Sequence, residues 1–156
     1  MNLYLPDEAA TQALGAALAK ALELSRADPA SGLRVFLEGD LGAGKTSLVR
    51  ALLYANGHVG PVKSPTYSLI ETYDLDGRIF HHFDFYRFES ADEFLEAGLE
   101  EYFQDGATCL VEWPDKAGQF LPKADLVLEL SHEPVGRKAS IRAISERGQA
   151  CLDFLE

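Results

Sequence analysis

One short stretch in the first third of the chain has the residue types and spacing to bind phosphate. Residues 39–46 read Gly-Asp-Leu-Gly-Ala-Gly-Lys-Thr and match the P-loop pattern G-x-x-x-x-G-K-[ST] at every fixed position. The glycines let backbone N–H groups point at phosphate oxygens, and the positive end of the following helix adds to their field. Lys45 would contact the β- and γ-phosphates, and the Thr46 hydroxyl would ligate Mg²⁺. The motif predicts that the chain binds a nucleoside triphosphate.

Hydrolysis of that nucleotide would require further carboxylates, for Mg²⁺ and for the attacking water. Glu112 follows the apolar run Cys109-Leu110-Val111, and Asp84 follows an alternating run that begins at Ile79. Because ligand sites in α/β sheets lie beyond the carboxyl ends of the strands, both acids are expected near the phosphates. The alternative for each is a solvated carboxylate at a strand end. The sequence leaves open which acid binds metal and which orients water.

Several other residues have both a chemical and a structural interpretation. Thr66 lies in an irregular stretch with two prolines, where a switch loop could bring its hydroxyl to Mg²⁺, although it could equally begin a strand. Arg87 could stabilise phosphate charge, but a salt bridge at a strand end is favoured for it. His81 and His82 would point to opposite faces of a strand, which favours structural over metal-binding roles. Trp113 could belong to the core or border the nucleotide.

The elements around these residues alternate between strand and helix patterns. Residues 33–38 predict the strand before the P-loop, and residues 47–53 predict the helix after it. Asp76-Gly77 predicts a β-hairpin, and Ser90 with Glu93 forms a capping box for a helix through about residue 102 that could break at Gly98. Because a hairpin and a late strand pair stand among βα units, the sheet is expected to be mixed.

The remaining predicted elements are as follows. Strands are expected over residues 1–5, 67–74, 78–85, 107–111, 125–130 and 138–144, and the first of them is expected at an edge of the sheet. Helices are expected to begin at Asp7 or Glu8 and to cover residues 146–155. Residues 25–32 are expected to form a polar link in which Asp28-Pro29 ends the first helix, and residues 114–121 are expected to form a short helix or loop.

The size and charge of the chain restrict what else it can do. Its 156 residues are expected to form one domain over residues 1–156, and a net charge of −11 argues against independent binding to nucleic acid. Cys109 and Cys151 are interpreted as reduced thiols. No signal peptide or apolar stretch of roughly 20 residues is found, so a cytoplasmic location without a membrane span is expected.

Four motifs occur together in one order along the chain. They are the P-loop, Ser64-Pro65-Thr66-Tyr67, His82-Phe83-Asp84-Phe85-Tyr86-Arg87 and Glu112-Trp113-Pro114. This set closely resembles the TsaE (YjeE) family, small bacterial P-loop ATPases of tRNA threonylcarbamoyladenosine biosynthesis. The resemblance runs over about residues 11–115, and residues 8–15 resemble the opening helix of the family.

The resemblance implies an α/β, P-loop NTPase-like three-layer sandwich with a mixed central β-sheet. It also implies an ATPase that is weak alone and depends on docking to a TsaB–TsaD heterodimer, which transfers a threonylcarbamoyl group to tRNAs reading ANN codons. Hydrolysis would reset that complex between turnovers. The chain would then contact tRNA only indirectly, through its partners.

The resemblance further implies ATP and Mg²⁺ as cofactors, and it assigns roles by motif position. Lys45, Asp84 and Glu112 are the expected catalytic residues. The residues expected to contact nucleotide are Gly39, Asp40, Leu41, Gly42, Ala43, Gly44, Lys45, Thr46, Ser47, Thr66, Thr11 and Trp113. Those expected at the metal are Thr46, Glu112, Asp84 and Thr66.

Two alternative functions use the same P-loop. A nucleotide-dependent assembly switch would use ATP to order the loop around Thr66, and hydrolysis would be incidental. A small-molecule kinase would need an acceptor pocket, a base and usually an arginine-rich lid, and the sequence has no arginine cluster. The absence of an Asn-Lys-x-Asp guanine-binding motif favours ATP over GTP.

Overall fold

A computed structural model describes residues 1–28 and 31–156, so the predicted Asp28-Pro29 helix end lies partly outside the described residues. The described strands are β1 (Asn2–Leu5), β2 (Arg34–Glu38), β3 (Ile70–Leu75), β4 (Arg78–Asp84), β5 (Thr108–Glu112), β6 (Leu126–His132) and β7 (Arg137–Ala143). The described α-helices are α1 (Glu8–Leu24), α2 (Lys45–Ala55), α3 (Asp92–Glu96) and α4 (Glu146–Asp153). Short 3₁₀-helices cover Leu99–Phe103, Pro114–Lys116 and Gly118–Phe120.

These strands form one mixed sheet in the order β1-β7-β6-β2-β5-β4-β3. The four central strands, β6, β2, β5 and β4, pair in parallel. Antiparallel pairs extend both edges, with β3 on β4 at one side and β7 and β1 beyond β6 at the other. The expected mixed sheet and the expected edge position of β1 are therefore confirmed.

Both faces of the sheet are covered, because the central strands are apolar on both sides. On β2, Val35 and Leu37 join the core beneath α1, α2 and α4, while Phe36 packs against a second cluster. That second cluster contains Phe94 of α3 and Phe103 of the following 3₁₀-helix. The arrangement is the expected three-layer α/β sandwich.

Local sequence features explain where several elements begin and turn. The Asp7 carboxylate caps α1 by accepting the Ala10 N–H at 2.9 Å. Asp76 and Gly77 have φ values of 55° and 81°, which a type I′ hairpin turn requires. The predicted start of α1 and the predicted hairpin are thus both confirmed.

Two predicted elements differ from those observed by three residues or more at one end. Strand β3 begins at Ile70, because residues 65–69 form a turn closed by a 2.8 Å bond from the Leu69 N–H to the Pro65 carbonyl. Only half of the predicted capping box forms, because the Glu93 carboxylate accepts the Ser90 N–H at 3.0 Å while the Ser90 hydroxyl accepts the Asp92 N–H. The N-cap of α3 is Ala91, and the helix ends at Glu96. Gly98 has φ 67° and breaks the helix as foreseen, and the chain continues as 3₁₀-helix.

Within residues 1–28 and 31–156, no helix is long and apolar enough to cross a membrane.

Candidate nucleotide-binding site

A cavity of about 400 Å³ lies at the carboxyl ends of β2, β4 and β5. Of the residues expected at the site, those that line it are Leu41, Gly42, Ala43, Gly44, Lys45, Thr46, Ser47, Thr66, Asp84, Glu112 and Trp113. Ser64, Tyr86, Arg87 and Arg137 complete its wall. The sheet topology therefore brings the four motifs of the sequence to one place.

The P-loop lies between β2 and α2 as its pattern predicts. Helix α2 begins at Lys45, so its first N–H groups are at the cavity and have no acceptor inside the helix. Gly44 precedes it with φ 106°, and a Cβ there would lie 2.8 Å from the Arg137 guanidinium. The backbone conformation thus favours glycine at this position, whereas the Arg137 side chain could move to make room for a Cβ.

Lys45 is held beneath the loop and is only 5% exposed. Its Nζ donates to the backbone carbonyls of Gly39 and Asp40, and it lies 4.0 Å from the centre of the Trp113 ring. Burial lowers the pKa of Lys45, while the nearby carboxylates, first that of Glu112, oppose the shift. Gly39 and Asp40 therefore contact the lysine rather than line the cavity, and their predicted nucleotide contacts remain predictions.

The two predicted acids are neighbours on adjacent parallel strands, where Asp84 of β4 pairs in register with Glu112 of β5. The Thr46 hydroxyl donates to Glu112 Oε1 at 3.2 Å. The Ser64 hydroxyl donates to Asp84 Oδ2 and lies 3.3 Å from Glu112 Oε2. The Tyr86 N–H donates to Asp84 Oδ1 at 2.9 Å. P-loop, acids and proline-containing loop thus form one hydrogen-bonded network.

The two histidines of β4 face opposite sides of the sheet, as the strand period requires. His81 contacts Asp105 and Thr72, each at 2.8 Å, on the face away from the P-loop. His82 is completely buried, with Nε2 at 2.6 Å from Glu112 Oε2. In the described part of the chain, His, Cys, Asp and Glu form no group of three that could hold a metal ion alone.

The loop after β4 and the turn after β5 add aromatic and basic side chains to the cavity. The predicted strand-end salt bridge of Arg87 is wrong for the described residues, because its guanidinium lies 4.1 Å above the ring of the exposed Tyr67 instead of beside a carboxylate. Trp113 has φ 57° and packs against Tyr86 with ring centres 5.0 Å apart. Trp113 therefore borders the cavity.

Ser64 and Arg137 are site residues that sequence reasoning missed. Ser64 belongs to one of the four motifs and lies two residues before Thr66. Its hydroxyl could therefore have been predicted at the site together with that of Thr66. Arg137 is far along the chain and in no motif; its Nη1 donates to Glu8 at 3.0 Å and to the Thr11 hydroxyl at 3.1 Å. Thr11 is buried and does not line the cavity, so its predicted nucleotide contact remains a prediction.

The donors around the cavity fit a magnesium–nucleotide complex. Magnesium in nucleotide sites commonly takes one or two carboxylates, several waters and the phosphates of the nucleotide. Glu112, Asp84 and the Thr46 hydroxyl supply such oxygens, while Lys45 and the start of α2 supply positive charge and N–H donors for phosphate. A carboxylate set without these cationic donors would not suit a polyphosphate.

Comparisons with known proteins agree with the grouping of motifs. A family model described as "Threonylcarbamoyl adenosine biosynthesis protein TsaE" matches residues 5–140. A "tRNA threonylcarbamoyladenosine biosynthesis protein TsaE" from Haemophilus influenzae is 38% identical over 149 residues, covering 96% of this chain and 93% of that protein. A protein of the same description from Synechocystis sp. is 38% identical over 125 residues, covering 76% and 73%.

A solved structure gives the same result for the fold. The crystal structure of YdiB from Bacillus subtilis superposes with a TM-score of 0.80 and 26% sequence identity, covering 99% of this chain and 93% of that one. The expected α/β fold is confirmed by this match together with the mixed sheet. Since the family model and the Haemophilus influenzae protein both span most of the chain, the suspected resemblance is confirmed: this chain belongs to the TsaE family.

Proposed function

We propose that this protein binds ATP with Mg²⁺ and hydrolyses it as an accessory ATPase of tRNA threonylcarbamoyladenosine biosynthesis. One observation carries the ATPase assignment: the P-loop, its threonine and two strand-end carboxylates meet in a single cavity, with Thr46 bonded to Glu112. The biosynthetic context is supported by the names of the relatives from Haemophilus influenzae and Synechocystis sp..

Phosphate binding would be the work of Lys45 and the first turn of α2. The ammonium group now bonds to loop carbonyls from a buried position, so a phosphate oxygen in the cavity would find a cation already placed beneath it. The N–H groups at the start of α2 would hold the same phosphates through short-range hydrogen bonds and the helix dipole.

The two acids are assigned different tasks because they have different neighbours. Glu112 bonds to Thr46, the P-loop residue expected at the metal, and this bond supports a metal-side role for Glu112. Asp84 bonds to Ser64 and to the Tyr86 N–H, and these bonds support a role on the loop side, where Asp84 would orient water or hold the loop. Bound Mg²⁺ would neutralise charge that develops on the phosphate oxygens.

The loop around Thr66 is the part of the site best suited to depend on a partner. Tyr67 is 84% exposed and Arg87 lies over its ring, so this contact of the arginine is at the surface. We propose that docking to a TsaB–TsaD heterodimer repositions Arg87 and this loop to complete the catalytic site. With a net charge of −11, the chain would leave contact with tRNA to these partners in the cytoplasm.

The test is ATP turnover by the purified protein, alone and with the cognate TsaB–TsaD heterodimer. Glu112→Ala is expected to abolish the stimulated turnover while ATP binding measured in EDTA is retained, because Glu112 contacts the metal-side threonine rather than the phosphate-binding lysine. Glu129→Ala, at an exposed position on β6, is the control and should behave as wild type. Unchanged stimulated turnover in Glu112→Ala would contradict the assignment of this acid.

A nucleotide-dependent assembly switch is the second candidate function. It is favoured by the bond between Ser64 and Asp84, which ties the proline-containing loop directly to the nucleotide cavity. ATP-dependent binding to the heterodimer without stimulated hydrolysis would support the switch. Neither binding nor stimulation would overturn both proposals, and a screen for phosphate-acceptor substrates would then test the kinase alternative.

A further inference from the structure

The buried pair formed by His82 and Glu112 lies directly beneath the nucleotide cavity. His82 stands two residues before Asp84 on β4, so the two side chains lie on the same face of the sheet, next to Glu112 on the adjacent strand. The side chains of His82 and Glu112 are 0% and 3% exposed, and Nε2 is 2.6 Å from Oε2. Since an ionised carboxylate only accepts hydrogen bonds, Nε2 is the donor.

This bond makes the two oxygens of the Glu112 carboxylate inequivalent. Oε2 accepts the bond from His82, with the Ser64 hydroxyl 3.3 Å away. Oε1 has no bond to the histidine and is the oxygen nearer to the Thr46 hydroxyl, at 3.2 Å compared with 3.4 Å for Oε2. The histidine thus fixes one oxygen on the sheet side, and the other is presented to the P-loop.

The environment of the other ring nitrogen, Nδ1, indicates that the function of His82 is its bond to Glu112. Nδ1 is buried and has no hydrogen-bond partner in the described part of the chain. His81, the structural histidine beside it, uses both nitrogens, which contact Thr72 and Asp105. Because a buried unpaired nitrogen is unfavourable, a residue kept only for packing would be better replaced by an apolar one.

We propose that His82 is a positioning residue that holds the Glu112 carboxylate with Oε1 toward Thr46 and the bound metal. This inference rests on the proposed nucleotide function and adds to it a residue that touches neither nucleotide nor metal. Hydrogen-bond partners of metal-binding carboxylates fix the orientation of the ligand, and losing one typically costs about 10–100-fold in metal affinity or activity.

The experiment compares three replacements of His82 by their effect on magnesium-dependent nucleotide binding. His82→Leu removes the donor, His82→Asn keeps a polar side chain that is too short to reach Glu112, and His82→Gln places an amide N–H near the position of Nε2. Trp113, the single tryptophan of the chain, borders the cavity and reports ATP binding by its fluorescence, in Mg²⁺ or in EDTA. Thermal melting checks the fold of each variant.

Positioning predicts a specific pattern across these measurements. In His82→Leu and His82→Asn, the gain in ATP affinity on adding Mg²⁺ and the partner-stimulated kcat should both fall by about 10–100-fold. Affinity in EDTA should stay close to that of wild type, and His82→Gln should recover most of the loss. His81→Leu removes the structural histidine's bonds and should lower the melting temperature without changing the magnesium dependence.

Two outcomes would overturn the inference. The first is a folded His82→Asn or His82→Leu protein with the wild-type gain in affinity on adding Mg²⁺. The second is an equal loss of affinity in Mg²⁺ and in EDTA, which would mean that the substitution disturbs the whole site. If wild type gains affinity with Mg²⁺ but never hydrolyses ATP, the proposed ATPase function fails while the magnesium comparison still decides the role of His82.

Discussion

Lys45 carries a positive charge in a buried position, where the charge is less well solvated than on a water-exposed lysine. Desolvation lowers its pKa, and the carboxylates of Glu112 and Asp84 offset part of that penalty. The ammonium therefore depends on the acids across the cavity, and the acids depend on it. A nucleotide phosphate would add a further negative partner at the same place.

Lys45→Ala should weaken ATP binding by roughly ten- to hundred-fold, since hydrogen bonds to charged groups contribute about 1.5–3 kcal/mol. Isothermal titration calorimetry with ATP and Mg²⁺ measures the change directly. Lys63→Ala removes an exposed lysine close to the site but outside the cavity wall, and it should bind as wild type does. Equal affinity in the two variants would exclude Lys45 from phosphate binding.

Replacing each acid by its amide should separate the metal side of the site from the loop side. Glu112→Gln should reduce the gain in ATP affinity on adding Mg²⁺, because the amide removes the charge that faces Thr46. Asp84→Asn should reduce stimulated kcat by about 100-fold or more while leaving that gain largely intact. Fluorescence titration and turnover measured on the same preparations give both quantities, and the reverse pattern would exchange the two roles.

The residues of the site were predictable from sequence where their position follows from a motif or a strand end. Lys45 and Thr46 are fixed by the P-loop, and Asp84 and Glu112 are brought together because their strands are parallel neighbours. Arg137 could not be predicted in the same way, since it reaches the cavity only through the antiparallel return of its strand at the far side of the sheet.

At the scale of secondary-structure elements, Arg137 joins three parts of the molecule. It begins β7, donates to Glu8 and Thr11 of α1, and lies against Gly44 of the P-loop. A guanidinium held this way is already placed at the cavity wall. Thr11 would then affect nucleotide binding by orienting Arg137.

Arg137→Met should lower ATP affinity about five-fold, which corresponds to the loss of a hydrogen bond worth ~1 kcal/mol. Thr11→Val should cause a smaller loss in the same direction. Arg147→Met is the control, because that guanidinium bonds to the carbonyls of Ser31 and Gly32 and does not line the cavity. If Arg137→Met bound ATP with wild-type affinity, the role of Arg137 would be only structural, as a link between α1 and β7.

The contact between α1 and α2 depends on Gly15. A Cβ at this position would lie 2.6 Å from the Ala51 Cβ and 2.8 Å from the Leu48 carbonyl oxygen, so the two helices would have to separate. Gly15→Ala should therefore destabilise the protein by about 1–3 kcal/mol, measured by urea unfolding, despite the better helix propensity of alanine. Gln12→Ala, on the exposed face of α1, should change stability by less than about 0.5 kcal/mol.

Sequence patterns predicted the order of the elements better than their ends. The hairpin at Asp76-Gly77 and the capped start of α1 follow from local residue chemistry and were found where expected. The left-handed backbone of Leu69, φ 70°, and of Trp113, φ 57°, was not predictable, because non-glycine residues adopt it only when tertiary contacts hold them there. Both positions lie close to the proposed site.

At the scale of the whole molecule, the two cysteines report on global unfolding. Cys109 lies on β5 in the core beside α3, and Cys151 lies on α4 in the core on the other face of the sheet. Burial is the main cause that raises the pKa of Cys109 from 9.0 to about 12 and that of Cys151 from 9.0 to about 11. Both thiols are therefore expected to stay protonated and unreactive while the fold is intact.

These shifts make stability depend on pH in a defined direction. Between pH 9.0, where an exposed thiol titrates, and about 11 to 12, the unfolded chain has released thiol protons that the folded chain still binds. The thiol contribution to the free energy of unfolding is thus complete below pH 9.0 and is lost as pH rises through this window. Tyr73, whose pKa is also raised, acts in the same direction, whereas Lys45, whose pKa is lowered, acts against it.

The free energy of unfolding in urea should therefore fall between about pH 8 and pH 10, and it should fall less steeply in Cys109→Ala. The variant lacks one of the groups whose proton the fold retains, so its slope isolates the thiol from Tyr73 and Lys45. Iodoacetamide at about pH 8 should label the native wild-type protein only as fast as the chain unfolds. In the urea-unfolded protein, both cysteines should react without this delay. Rapid labelling of the native protein, or identical pH slopes in the two proteins, would mean that the thiols are accessible without global unfolding.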